Sequence, residues 1–80
     1  MSRNTQDRLI YMANQIGAFF KTQGHDSAVP GIADHIAKFW DPRMKTQIFA
    51  HVEHGGEGLD PLVKEAIEGL ARKQNAGASS

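Results

Sequence analysis

The 80-residue sequence contains no cysteine, which removes disulfide frameworks, thiolate nucleophiles, zinc ribbons and iron–sulfur ligation in one step. Any redox centre tied to this chain is therefore expected on another one. Charge of one sign is also missing. Nine basic and nine acidic side chains cancel, and the balance stays small locally, at +2 over residues 1–21 and −1 over residues 55–80. With no basic stripe, nucleic acid is not an expected partner, because its binding rests largely on Lys and Arg displacing counterions from phosphates. Apolar runs are only a few residues long, so no membrane span is expected. The polar start MSRNTQDR lacks the apolar stretch and small-residue cleavage site of a signal peptide. Together with the absence of cysteine, this leads us to expect an unprocessed, cytoplasmic chain. A chain of this length buries only about 60% of its unfolded surface, and a partner would supply what its core lacks.

What is present is helical periodicity. In the first segment Leu9, Met12, Ala13, Ile16, Phe19 and Phe20 fall within an arc of roughly 120° at 100° per residue. This predicts a helix from about Thr5 to Thr22, with Ser2 or Asn4 as its cap and Gly24 as its stop. Ile10 and Tyr11 lie off the stripe, so each either meets a second neighbour or stays exposed. The stretch HDSAVPG interrupts the pattern, and a second helix is expected to open near Pro30, where a missing N–H costs nothing. Its apolar face is Ile32, Ala33, Ile36, Ala37, Phe39 and Trp40.

The residue before a proline is pushed out of the helical region, so Asp41 should end this helix and cap the next. The third helix carries Met44, Ile48, Phe49 and Val52 and should leave through Gly55 and Gly56, a pair suited to positive φ. In LDPLV the device repeats, with Asp60 as cap and Pro61 as the first residue of a fourth helix. Leu62, Val63, Ala66, Ile67 and Leu70 form its apolar face, and Lys64, Glu68 and Arg72 lie outside at i, i+4 spacing. The ending ARKQNAGASS reads as a frayed end and tail. The expected architecture is all-α, a small four-helix bundle or orthogonal helix array, with a domain over residues 1–72 and a disordered tail over 73–80.

Four histidines raise the question of metal. His51 and His54 stand at i, i+3 on the third helix, but H-V-E-H lacks the i, i+4 spacing of a helical zinc protease and no third ligand is evident. A position near a helix C-terminus, where the dipole favours a cation, accounts for them without metal. His35, one turn before Phe39, reads as a packing residue. No arrangement suggests a nucleophilic triad, and GGEG reads as a helix exit rather than a phosphate cradle. No metal site and no catalytic residue are therefore assigned.

FWDPRM, residues 39–44, is the most informative stretch. Arg43 is its anomaly, since a cation in a helix's first turn opposes the dipole. One reading is a guanidinium reaching a carboxylate, carbonyl or phosphate on a partner or ligand, beside Trp40 as an aromatic anchor. The other is an internal pair with Asp41 or Asp34. Phe19, Phe20, Phe39, Trp40 and Phe49 each continue a stripe and are expected mostly in the core. The partner-binding candidates are Trp40, Arg43, Tyr11, Ile10 and Lys45, with Arg43 also a candidate contact for a cofactor or phosphate.

MANQIGAFF (12–20), HIAKFWDPRM (35–44), a double-glycine exit and GLDPLVKEAIEGL (58–70) together resemble the delta subunit of soluble NAD-dependent, molybdenum-containing formate dehydrogenases. The resemblance spans about residues 10–70. Lys45 stands where it leads one to expect a second arginine. It implies a non-catalytic accessory subunit, binding no cofactor itself, in a complex whose alpha subunit carries a bis-molybdopterin guanine dinucleotide site and iron–sulfur clusters. The beta and gamma subunits of that complex carry FMN, further clusters and NAD reduction. The delta subunit would attach to alpha and support active enzyme, either as a structural clamp or by helping the molybdenum cofactor enter. The alternatives are a small helix-turn-helix regulator, which the lack of excess positive charge disfavours, or another protein-interaction module. A free-standing metal-dependent enzyme using His51, His54 and a carboxylate is a third class.

Overall fold

A computed structural model describes the backbone of residues 5–78 and the side chains of residues 6–73. Four helices follow one another: α1 (Thr5–Lys21), α2 (His25–Phe39), α3 (Pro42–Glu53) and α4 (Pro61–Ala78), with no strand among the described residues. The expected caps Ser2 and Asn4 lie outside the described residues.

The two aspartate-proline junctions form as their local chemistry dictates. Asp41 is extended, with ψ 166°, and its side chain accepts from the Met44 amide at 2.9 Å while Pro42 takes the first helical position. Asp60 does the same for α4, accepting from Leu62 N at 3.0 Å through Oδ1. α3 ends in a Schellman arrangement, in which Gly56 N donates to His51 O and Gly55 N to Val52 O. Gly55 and Gly56 have φ of 112° and 64°, a region other residues enter only at a cost.

Two boundaries differ from the sequence reading. α2 begins at His25, five residues before Pro30, because Gly24 at φ 97° turns the chain and its carbonyl accepts from Ala28 N at 2.8 Å. Pro30 then sits inside the helix, where its missing donor leaves one exposed first-turn carbonyl to water. α4 runs on to Ala78, into the stretch from residue 73 for which composition predicts a tail, as the helix-favouring residues ARKQNA permit.

The core draws on all four helices: Leu9 and Ala13 from α1, Ala28, Ile32 and Ile36 from α2, Ile48 and Val52 from α3, and Val63, Ala66, Ile67 and Leu70 from α4. Trp40, at the α2–α3 junction, joins them. The most extensive pairing is α2 with α4, followed by α1 with α2. α1 and α4 approach closely at Gly17, where an added Cβ would lie 2.3 Å from Val63 Cγ2. On the outside of α4, the expected Lys64, Glu68 and Arg72 ladder is not among the ion pairs of the described residues. Lys64 instead lays its stem over Gly56.

Asp60 also fastens the first helix to the last. Its Oδ2 takes a hydrogen bond and ion pair from Lys21, which is the main reason its carboxyl is held below the ordinary value of 3.8; partial burial opposes this and the Leu62 amide reinforces it. A group whose folded pKa is depressed contributes stability above its ordinary pKa and loses it as pH falls through the lowered value. Lys21 is half exposed, so the pair is worth only about 0.2–1 kcal/mol. Lys21→Met is therefore expected to be less stable than wild type by that amount at neutral pH. The gap should close as the pH is taken below 3.8, as read from urea melts of the two proteins. A gap of equal size at neutral pH and at pH 2 would remove the ion pair as its cause.

Candidate interaction surface

Of the five residues the sequence singles out, the structure separates those whose side chains are engaged within the fold from those left outside. Trp40 is only 5% exposed and belongs to the core. This corrects its reading as an outward anchor: at the tight α2–α3 turn its indole closes the end of the apolar interior, as a stripe residue at a helix end can. Lys45 is half-buried, and its ammonium donates to the Ala37 carbonyl near the C-terminus of α2 at 3.3 Å, where the helix dipole favours a cation. Arg43 is exposed and makes no hydrogen bond or ion pair among the described residues. Both partners considered for it are engaged elsewhere, Asp41 with the Met44 amide and Asp34 with Lys38 at 3.3 Å.

Ile10 and Tyr11 divide between the two fates their off-stripe positions allow. Ile10 is half-buried and meets a second neighbour, the 54–60 loop, where its Cγ2 lies 3.6 Å from a Cβ built on Gly58. Tyr11 is 59% exposed, and its hydroxyl accepts from Gln15 Nε2 at 2.6 Å.

Two aromatics expected in the core are outside it. Phe19 is 62% exposed and Phe39 72%. A periodic stripe identifies a face, but its edges are covered only where a neighbour reaches them, and neither ring is reached. Phe20 and Phe49 are half-buried against the core. On α1, Tyr11, Gln15 and Phe19 are spaced i, i+4, i+8 and so share one side of the helix. Across from them on α2, the His35 ring packs at a tilt against Phe39, with centroids 4.8 Å apart. Between the helices Gln15, Ile16, Phe19, Phe20 and His35 line an open, almost wholly apolar cleft. Phe19 and Phe20 meet edge to face at 5.1 Å. The signal for this face was the pair of bulky residues at the stripe edges.

The 54–60 loop is held from both sides. Asn14 donates through Nδ2 to Gly58 O and accepts through Oδ1 from Asp60 N, each at 2.9 Å. His51 Nε2 donates to Glu57 O at 2.7 Å. Sequence reasoning missed Asn14, because its partners lie more than forty residues away and nothing local marks it. A second, more polar cleft lies beside this loop, lined by Gln6, Asp7, Ile10, Tyr11, His51, Glu57 and Gly58.

His51 and His54 do not converge, since His54 Nδ1 bonds Ala50 O at 2.8 Å. No group of three or more His, Asp or Glu is placed to hold a metal among the described residues. With no cysteine in the chain either, the donor set does not suit an iron–sulfur cluster. No described helix is long and apolar enough to cross a membrane.

Neither a curated protein nor a solved structure matches this chain. A family model does, that of the NADH-dependent formate dehydrogenase delta subunit FdsD, over residues 8–67. The match takes in most of α1, all of α2 and α3, the clamped loop and the start of α4, together with the FWDPRM junction. It covers well over half of the sequence, and on that ground the chain belongs to the formate dehydrogenase delta subunit family.

Proposed function

We propose that this chain is a non-catalytic subunit that binds the molybdenum-carrying alpha subunit of an NAD-dependent formate dehydrogenase, and through it beta and gamma. Its work is to support assembly, stability or cofactor loading. The family match carries this reading. The fold is consistent with it: a small helical module whose polar groups tie its own elements together and whose exposed aromatics are left for another surface. The molybdopterin, iron–sulfur, flavin and nicotinamide groups of such an enzyme sit, on this reading, on the other subunits. Affinity purification of the tagged chain from cells expressing the complete formate dehydrogenase operon is expected to retain the alpha subunit. Recovery of the tagged chain alone would overturn the proposal.

A cofactor-handling version is favoured by one observation, the exposed Arg43 at the start of α3, which has no ion pair or hydrogen bond among the described residues. A guanidinium that its own helix dipole disfavours is suited to an incoming phosphate. Hydrogen bonds to charged groups contribute about 1.5–3 kcal/mol, so Arg43→Ala should weaken such a hold about tenfold or more. The expected result is a severalfold drop in molybdenum content, by elemental analysis, in a complex that still assembles. Unchanged molybdenum occupancy would reject this version, and failure of assembly before any loss of metal would favour a clamp.

A further inference from the structure

We infer that the aromatic face shared by α1 and α2, centred on Tyr11, Phe19 and Phe39 with the cleft at Phe20 and His35 between them, is the docking surface for an uncharged, apolar segment of the alpha subunit. The inference rests on the reading of this chain as an alpha-binding subunit and locates the contact. It moves that contact away from Trp40, which is buried, and Lys45, which is engaged within the fold, and keeps only Phe39 of the FWDPRM stretch.

The first argument is chemical. Of the charged residues near this face, Lys21 is paired with Asp60 and Lys38 with Asp34, while Arg8 stands exposed at its N-terminal edge, one turn before Tyr11. Gln15 donates one hydrogen bond to the Tyr11 hydroxyl. Within the cleft itself the lining of Gln15, Ile16, Phe19, Phe20 and His35 holds no carboxylate, lysine or arginine, so a charged group entering it would lose water without gaining a counter-ion, whereas an aliphatic or aromatic side chain would fill it. Aromatic enrichment with charge depletion is the composition of the buried centre of an interface.

The second argument is area. Rings of this class carry about 150–250 Å² each, so exposures of 59, 62 and 72% leave on the order of 400 Å² of aromatic surface. Two copies closing on each other through this face would bury about 800 Å², short of the roughly 1,200 Å² at which stable interfaces begin. The face therefore calls for a larger partner whose contact extends past the patch, rather than for a second copy of the chain.

The test uses the full chain and the co-expressed alpha subunit. Phe19→Asp and Phe39→Asp replace exposed rings, so helical circular dichroism should match wild type. Each is expected to weaken alpha capture by at least about 30-fold, as for a hot-spot aromatic. A photo-cross-linking benzoyl analogue placed at position 19, which preserves the ring, should become joined to the alpha subunit on irradiation. The inference is overturned if wild type captures alpha and both aspartate variants capture it equally well, or if the cross-linker at position 19 leaves alpha unlabelled. It is also overturned if the isolated wild-type chain sediments as a dimer that Phe19→Asp disperses. Failure of wild type itself to capture alpha would instead refute the broader reading on which this one stands.

Discussion

Ile32→Ala is expected to lower the stability of the isolated chain by about 2–5 kcal/mol, the usual cost of an isoleucine-sized hole in a core. Ile32 is fully buried on α2, which takes part in the two most extensive helix pairings, and its Cδ1 reaches toward Gly17 beside Val63. It thus stands where α1, α2 and α4 meet. A hole at such a point is hard to close, because moving any one helix inward pulls it from the other two. Domains of this size have only about 5–12 kcal/mol in total, so the melting temperature should fall by about 10–30 °C. Thermal denaturation followed at 222 nm measures it. A loss under about 1 kcal/mol would mean that the helices collapse onto the vacancy and that the meeting point is less constrained than its burial indicates.

Gly17→Ala is expected to destabilise as well, against what helix propensity alone says. In an exposed helix the change to alanine gains about 1 kcal/mol. Here the new Cβ would meet Val63 Cγ2 at 2.3 Å, and that methyl is on a stiff, β-branched, fully buried side chain that cannot swing aside cheaply. Relief requires α1 and α4 to separate, and overpacking of this kind costs about 1–3 kcal/mol even after the propensity gain. The decisive measurement is a double-mutant cycle with Val63→Ala. Removing the obstructing methyl should restore the gain, so the two changes together should be less harmful than their sum by at least about 1 kcal/mol. Additive effects would show that the close approach at Gly17 has no energetic weight.

The parts of this fold that were legible in the sequence are those decided within a few residues. Asp41–Pro42 and Asp60–Pro61 announce helix starts because the cap, the proline and the amide it satisfies are neighbours in the chain. The Gly55–Gly56 exit is legible for the same reason. Pro30 misled because proline is favoured at a first helical position, yet Gly24 opens the helix a turn and a half earlier, and the loss of one exposed hydrogen bond does not prevent it. Burial was legible for the centres of the stripes, Ala13, Ile32, Ile36, Ile48, Val63 and Ile67, since any packing of four such helices covers them. It was not legible at the edges. Whether Phe19 and Phe39 are inside depends on where the next helix passes, which is a property of the assembled set. Of the candidate contacts, Tyr11 and Arg43 are outside, Ile10 is half covered by the loop, and Trp40 and Lys45 are engaged within the fold.

Asp60 takes part in four bonds at once: Oδ1 to the Leu62 amide and its carbonyl to the Lys64 amide in the first turn of α4, Oδ2 to Lys21, and its own amide to Asn14. The place where the last helix may begin is thus fixed by residues of the first, more than thirty-five positions upstream. During synthesis α1, α2 and α3 emerge before that registration can occur, so the chain has to wait for its final quarter before its ends can lock. Once locked, detaching α1 would unseat the start of α4 in the same motion, and the domain should open as one cooperative unit rather than fray helix by helix.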